Sequence, residues 1–205
     1  MKKINFFRGF LLSVVFCAVC FGVYMYRNSD SVAVGKKIIN NMENTVYMET
    51  QYGRVVIRLL PEVAPNHVNR IKTLIRSGFY NGVPFHRVIE GFMAQTGDPT
   101  GTGTGGSGVK IDAEFSQKYS HKRGVVSMAR AQDINSADSQ FFIVLENSPF
   151  LDGNYTIFGY VVDGMQFVDK IRKGDVKKNG MVSNPDKIIS MSIVADVDNY
   201  KKKKK

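Results

Sequence analysis

The chain has 205 residues, of which 43% are hydrophobic and 22% are charged, a composition that suits one globular domain with appended segments. Its 28 Lys and Arg outnumber its 18 Asp and Glu, so the net charge is +10. From Val46 to Val197, however, 17 basic residues face 15 acidic ones, whereas the rest of the chain carries 11 against 3. The basic excess lies at the ends, which argues against a nucleic-acid-binding surface on the folded part.

Residues 1–27 are predicted to form a targeting segment. Lys2, Lys3 and Arg8 precede an uncharged run of 18 residues, Gly9 to Tyr26. This run is longer than a signal-peptide core of about 7–15 residues and lies at the short end of the about 17–25 residues that span a membrane. We favour an uncleaved signal anchor over a cleaved signal peptide or a buried soluble helix, and the basic amino end then places the domain across the membrane.

The remaining boundaries follow from composition. Cys17 and Cys20 are the only cysteines and lie inside the apolar run, where a redox role for their C-x-x-C spacing is disfavoured because no strand–helix–strand pattern surrounds it. Residues 28–44 are predicted to be a polar linker, residues 45–197 the domain, and residues 198–205 a tail with five consecutive lysines. Such a charge run favours a solvated tail, with attraction to anionic lipid as the alternative.

Six stretches of the domain show the alternating or continuous apolar pattern of β-strands. They are Thr45–Thr50, Gly53–Leu60, Gly124–Ala129, Gln140–Leu145, Thr156–Val162 and Ile188–Val197. Two helices are predicted apart from each other, one beginning at Pro65 and ending near Gly78, the other from Gly164 to Lys173. His67, early in the first helix, is expected at the surface. Many short strands without a strand–helix–strand rhythm predict a closed antiparallel barrel capped by two helices.

The stretch Phe85–Asp98 is predicted as two more short strands around a turn at Glu90-Gly91. Alternation places Phe85 on the same face as Arg87. A guanidinium offers five donors in a rigid fork, so Arg87 beside large apolar side chains could hold an apolar group while donating hydrogen bonds to an amide. Taken alone, the stretch is better interpreted as an ordinary strand that carries one exposed arginine, and only the rest of the chain favours the binding role.

The glycines from Gly101 to Gly106 match the G-x-G-x-x-G dinucleotide fingerprint, but no helical pattern follows them, so a turn-rich surface loop is the better interpretation. His67, His86 and His121 are too scattered for a metal motif, and neither metal nor cofactor is expected. His86 is interpreted as a buried residue with a structural hydrogen bond. Ser139 beside Asp138 lacks a nucleophile elbow. Asn154 begins a formal glycosylation acceptor that matters only in a eukaryotic secretory compartment.

Five segments, in order and in register from Val46 to Val197, together resemble the cyclophilins, the cyclosporin-binding peptidyl-prolyl cis-trans isomerases, and the glycine loop is closest to bacterial members. The segments are Phe85–Asp98 (FHRVIEGFMAQTGD), Gly101–Gly108 (GTGTGGSG), Ser127–Ala131 (SMARA), Ser139–Ile143 (SQFFI) and Phe150–Gly159 (FLDGNYTIFG). The resemblance covers about three-quarters of the chain. It implies an eight-stranded barrel with a helix over each open end, and isomerisation of X–Pro bonds without a cofactor.

The resemblance also implies the roles of individual residues. Arg87 is the expected catalytic residue, donating to the proline amide as its conjugation is lost. The proline pocket is expected from Phe92, Met93, Phe142 and Leu151, and the adjoining peptide is expected to be held by Gln95 with backbone groups at Gly103, Ala129–Ala131 and Gln140.

Three substrate-binding positions depart from the best-known eukaryotic pattern. Phe150 stands in place of a tryptophan, Tyr155 of a histidine and Arg130 of an asparagine. Without the indole N–H that helps bind cyclosporin, weak cyclosporin A binding with retained isomerase activity is expected. The Arg130 side chain is expected to tilt preference towards acidic substrates.

The sequence is thus interpreted as a monomeric, single-pass isomerase of a bacterial inner membrane. Its domain faces the periplasm, acts on proline-containing polypeptides and assists their folding, and release into the periplasm after signal cleavage is the alternative location. A second hypothesis is a proline-peptide binding module or chaperone with incidental isomerase activity. A third is an anchored scaffold that recruits partners through its basic tail.

Overall fold

The structure is a computed structural model, and it describes residues 40–197. The predicted signal anchor or signal peptide at residues 1–27, the linker up to residue 39 and the tail at residues 198–205 lie outside the described residues. Within residues 40–197, no helix is both long and apolar enough to cross a lipid bilayer. Residues 40–43 of the predicted linker form a helical turn, and Glu43 pairs with Lys72 at 3.5 Å and with Arg76 at 2.9 Å.

Eight strands form one sheet. They are β1 (Thr45–Thr50), β2 (Gly53–Leu59), β3 (Arg87–Ile89), β4 (Met93–Thr96), β5 (Val125–Met128), β6 (Phe141–Val144), β7 (Ile157–Asp163) and β8 (Ser190–Ile193). Their order in the sheet is β3-β4-β6-β5-β7-β2-β1-β8, and every pair of neighbours is antiparallel. The mainly-β antiparallel prediction is confirmed, and each predicted strand overlaps an observed one.

The closed barrel is not supported, because the sheet forms a half-barrel. The end strands β3 and β8 have three and four residues, and within the described part of the chain they do not pair with each other. The stretch between β7 and β8 lies near β3 instead, where it makes two isolated bridges, Arg87 with Met181 and Pro84 with Lys187, and further backbone hydrogen bonds without forming a strand. Short end strands leave too few ladder positions to complete a cylinder.

Helix α1 (Pro65–Arg76) buries the apolar stripe that its sequence predicted, namely Val68, Ile71, Leu74 and Ile75. The expectation that His67 is at the surface was wrong, since its side chain is fully buried and its Nδ1 lies 2.6 Å from Glu114 Oε2. His67 is four residues before Ile71 and so shares the buried face. Glu114 also accepts the first-turn amides of Asn66 and His67 at 3.1 and 3.0 Å, which caps the helix from 48 residues away.

The predicted helix over Gly164–Lys173 is shorter than expected. Helix α2 comprises Met165–Val168 and is followed by turns. The Arg172 N–H is donated to Asp186 Oδ2 at 2.8 Å, which takes the backbone out of helical hydrogen bonding. Likewise the last predicted strand ends at Ile193, and residues 194–197 are helical.

Candidate active site

The β3–β4 hairpin presents Arg87 on the outer face of the sheet. Arg87 pairs in register with Gln95, and Ile89 with Met93, while the intervening Val88 is fully buried in the main core. Phe85 does not share the Arg87 face as alternation suggested, because the strand begins only at Arg87 and Phe85 is fully buried. The prediction of two strands around a turn is confirmed.

An apolar cavity of about 480 Å³ opens beside Arg87. We call it the apolar cavity, and its lining residues are Arg87, Phe92, Met93, Gln95, Ala129, Arg130, Phe142, Phe150, Leu151, Asn154 and Tyr155. Phe92 and Met93 both line it although they are adjacent in sequence, because Phe92 belongs to the turn before β4. Asn154 was not among the residues predicted from the sequence.

Aromatic contacts shape this cavity. Met93, Phe142 and Leu151 are at most 6% exposed and belong to one packed apolar cluster. The Phe142 ring meets the Tyr155 ring edge-on with centroids 5.8 Å apart. Phe150 lies at the mouth, 68% exposed. The cavity thus has a rigid floor and one solvent-facing aromatic side chain at its rim.

The Arg87 guanidinium is held on two sides. Its Nε donates to Asn179 O at 2.9 Å and its Nη2 to Asn179 Oδ1 at 3.1 Å, while Nη1 donates to Gln95 Oε1 at 3.1 Å. Burial lowers the pKa of Arg87 from its ordinary value, although a guanidinium remains charged near neutral pH. No carboxylate within residues 40–197 pairs with it.

Sequence reasoning missed Asn179. Its backbone is left-handed, with φ 53°, in a turn where the preceding Lys177 amide donates to the Asp175 side chain at 2.8 Å. Asn tolerates this conformation because its short polar side chain costs little there. The Asn-Gly pair at 179–180 predicts a turn, but nothing local links it to an arginine 92 residues earlier.

A second cavity of about 430 Å³ adjoins the first and shares Gln95, Ala129 and Arg130 with it. We call it the glycine-loop cavity, and its other lining residues are Gly103, Thr104, Gly105, Gly106, Lys110, Ala131, Ser136, Asp138 and Gln140. Every residue predicted to form the site therefore lines one of the two cavities. Thr104, Gly105, Gly106, Lys110, Ser136 and Asp138 were not predicted.

Side-chain amides connect the two cavities. Gln95 Nε2 donates to Gln140 Oε1 at 2.9 Å, and Gln140 Nε2 donates to the carbonyls of Gly103 and Gly105 at 3.0 and 2.8 Å. Arg87, Gln95, Gln140 and the glycine loop are therefore joined by consecutive hydrogen bonds. The backbone amides expected to bind peptide are partly occupied, since the N–H of Ala129 donates to Gln140 O at 2.9 Å.

Asp98 organises the glycine loop. Its carboxylate accepts from the amides of Thr100, Gly103 and Gly105 at 2.8, 2.7 and 3.1 Å. Burial alone would raise the pKa of Asp98, but these hydrogen bonds and one from the Thr100 hydroxyl outweigh it and lower the pKa to about 2. A Cβ at Gly105 would collide with Asp98 Oδ1, so this position requires glycine.

All three histidines are buried. His86 is 2% exposed, which confirms its predicted burial, and burial is the largest cause of its lowered pKa. The structural hydrogen bond predicted for His86 was wrong, because neither ring nitrogen has a hydrogen-bond partner within residues 40–197. His121 lies 2.7 Å from Asp152 Oδ1 and 3.0 Å from Ser127 Oγ. This arrangement resembles a hydrolytic triad, but Ser127 is fully buried, and the His121 ring stacks 6.2 Å from Phe142.

Comparison with known proteins agrees with this geometry. The family model described as cyclophilin type peptidyl-prolyl cis-trans isomerase/CLD matches residues 45–193. A probable peptidyl-prolyl cis-trans isomerase of Brucella suis is 47% identical over 204 residues, covering 94% of this chain and 98% of that protein. A peptidyl-prolyl cis-trans isomerase of Helicobacter pylori is 42% identical over 140 residues, covering 67% of this chain and 85% of that protein.

Solved structures give the same result. A cyclophilin-type isomerase of Cryptosporidium parvum, crystallised in the presence of the dipeptide Ala-Pro, has a TM-score of 0.67 and 34% identity, covering 73% of this chain and 98% of that one. A cyclophilin of Hirschia baltica has a TM-score of 0.67 and 31% identity, covering 76% and 75%. The chain belongs to the cyclophilin family, whose members are peptidyl-prolyl cis-trans isomerases.

Proposed function

We propose that the domain accelerates X–Pro bond rotation in polypeptides by seating the proline ring in the apolar cavity and donating a hydrogen bond from Arg87 to the twisting amide. Rotation must break amide resonance, at a barrier of about 18–20 kcal/mol, and each 1.36 kcal/mol of preferential stabilisation of the twisted state gives about tenfold in rate. No covalent step is required. The relative crystallised with Ala-Pro supports a proline peptide as the ligand.

The observation that carries this proposal is the immobilised charge of Arg87 at the edge of the apolar cavity, where no carboxylate of residues 40–197 pairs with it. Two acceptor residues, Asn179 and Gln95, fix the guanidinium without neutralising it. A donor fixed in this way needs little reorganisation as the amide nitrogen becomes pyramidal and gains a free electron pair. The buried floor of Met93, Phe142 and Leu151 supplies the apolar contact that a proline ring needs.

The test is isomerisation of an Ala-Pro peptide by the full-length chain, with Arg87→Ala and Arg87→Lys compared at equal folded concentration. Removing one preorganised donor typically costs about 100- to 1000-fold in rate, so we expect a loss of that size in Arg87→Ala. A chain that binds the peptide tightly without accelerating its isomerisation contradicts this proposal and favours the proline-peptide binding module.

We also propose that the protein assists folding on the periplasmic side of a bacterial inner membrane, anchored through residues 9–26, and that it acts as a monomer. The basic residues before the apolar run support this orientation, and both cavities are complete within one chain. Cell fractionation with protease added to spheroplasts tests the location. The full chain should sediment with membranes and be cleaved from outside, and recovery from the cytoplasm would refute the proposal.

A further inference from the structure

Arg130 joins the two loops that meet between the cavities. Its Nε donates to Asn154 O at 3.0 Å, and its Nη1 donates to Ala131 O at 2.9 Å and to Gln132 O at 3.1 Å. Asn154 belongs to the segment before β7, whereas Ala131 and Gln132 follow β5. One guanidinium therefore fixes two chain segments that are separated by 24 residues.

The same guanidinium lies over Tyr155, with Cζ 4.9 Å from the ring centroid, a distance that permits a cation–π interaction. Tyr155 in turn contacts Phe142 edge-on in the floor of the apolar cavity. Arg130 itself lines both cavities. Arg130 thus contacts the Tyr155 ring and lies where the two cavities meet.

This geometry requires the shape of arginine rather than its charge alone. Three N–H donors in one plane reach three carbonyl oxygens while the face of that plane covers a ring. Lysine carries the same charge as a compact ammonium on a flexible stem and cannot make these contacts together. The three carbonyls leave the charge of the guanidinium in place, so the expectation that Arg130 favours acidic substrates stays a prediction, which the comparison of Glu-Pro with Lys-Pro activity below tests.

We propose that Arg130 is a positioning residue for the isomerase site, holding Tyr155 and the backbone at Asn154 as the wall between the two cavities through its planar fork and not through its charge. This inference rests on the proposed function for its activity readout. The binding readout described below is independent of turnover, so the two proposals can fail separately.

The experiment compares Arg130→Lys, Arg130→Met and wild type in the full-length chain, measuring kcat, KM and the Kd of an Ala-Pro peptide. Losing the carbonyl contacts should raise KM and Kd by about fivefold to tenfold, to a similar extent in both variants, with kcat changed less because Arg87 is untouched. The ratio of Glu-Pro to Lys-Pro activity should remain that of the wild type in both variants.

Arg54→Lys is the matched control. Arg54 also lies over a tyrosine, 4.2 Å from the Tyr47 ring, and pairs with Glu49 at 2.6 Å, but it lines neither cavity. Its KM and Kd should equal those of the wild type. Melting temperatures of all variants separate a local effect from loss of the fold.

A positional role also predicts coupling to Tyr155. In a double-mutant cycle, Arg130→Met should raise the Kd of the Ala-Pro peptide much less in the Tyr155→Leu variant than in the wild type. Additive effects would overturn the proposal, as would an Arg130→Lys variant that behaves like wild type while Arg130→Met fails. If the wild type binds the peptide but shows no turnover, the proposed function fails and the Kd values still decide the role of Arg130.

Discussion

The two adjoining cavities are stabilised by different forces. The floor of the apolar cavity is positioned by packing, with Met93, Phe142 and Leu151 at most 6% exposed. The glycine loop is instead positioned by hydrogen bonds to carboxylates, since Asp98 accepts three of its amides and Asp138 accepts from Gly108 N at 2.8 Å. Packing depends on side-chain volume and not on pH, whereas a carboxylate network weakens when the pH falls far enough to protonate it.

The largest expected effect is on the packed side, in Phe142→Ala. Removing a buried phenylalanine costs about 3–5 kcal/mol of unfolding free energy, and this ring also forms the cavity floor, so peptide affinity should be lost as well. Phe158→Ala is the matched control because Phe158 is 2% exposed in the main core and lines neither cavity.

Both variants should be similarly destabilised in urea titrations. At a temperature where both remain folded, only Phe142→Ala should lose binding of an Ala-Pro peptide. Equal loss of binding in the two variants would show that the cavity depends on global stability and not on its local packing.

Asp98→Asn tests the carboxylate side. The folded pKa of about 2 lies below the ordinary value of about 3.9, so the carboxylate stabilises the fold fully above about pH 4. This contribution, about 2 kcal/mol by linkage, is lost as the pH falls from about 4 to about 2. The NH₂ group of Asn cannot accept hydrogen bonds from backbone N–H groups, so the variant should lack this stabilisation at neutral pH.

The measurement is unfolding free energy against pH for wild type and Asp98→Asn. The difference between them should be largest near neutral pH and shrink below about pH 4. Asp133→Asn is the control, because Asp133 is exposed and, within residues 40–197, its carboxylate accepts only the N–H of the nearby Asn135. A difference that is independent of pH would mean that the loop does not depend on the charge of Asp98.

Asn179→Gly tests the position of Arg87, which lines the packed cavity and is also linked through hydrogen bonds to the glycine loop. Glycine accepts the left-handed φ of 53° and keeps the carbonyl that receives Arg87 Nε, while it removes the Oδ1 that receives Nη2. Hydrogen bonds to charged groups contribute about 1.5–3 kcal/mol, so we expect kcat for an Ala-Pro peptide to fall about tenfold with little change in KM. An unchanged kcat would show that Gln95 and the retained backbone carbonyl at position 179 suffice to position Arg87.

The success of sequence reasoning differed between the two cavities for physical reasons. The packed cavity was predicted well because contiguous motifs supply it, and the residues implied by the family resemblance line it. Arg87, by contrast, could be named as catalytic only through the family resemblance, because its hairpin taken alone also fits an ordinary strand with one exposed arginine. Helix α1 was predicted for a similar reason, since a 3.6-residue apolar period is local information.

Long-range polar partners were not predictable. The contacts between Arg87 and Asn179, and between His67 and Glu114, join residues 92 and 47 positions apart, and no local pattern encodes them. His67 was misplaced because histidine was assumed to be polar and exposed, although its spacing from Ile71 indicated the buried face. The barrel closure failed because closure depends on the lengths of the end strands and on the chain between them, not on the identity of any residue.

The smallest expected effect concerns the rim of the packed cavity, where Phe150→Trp adds a hydrogen-bond donor to an otherwise apolar wall. Phe150 is 68% exposed, and its ring is 5.4 Å from that of Phe92, so a larger indole can be accommodated without disturbing the core. Resemblance to cyclophilins implies that an indole N–H at this position helps bind cyclosporin. One neutral hydrogen bond contributes about 0.5–1.5 kcal/mol, so cyclosporin A should bind about threefold to tenfold more tightly to the variant, measured by calorimetry.

The Kd of an Ala-Pro peptide, which needs only apolar contact here, should stay the same. Submicromolar binding of cyclosporin A by the wild type would show that the donor is dispensable and that packing alone determines recognition at this rim.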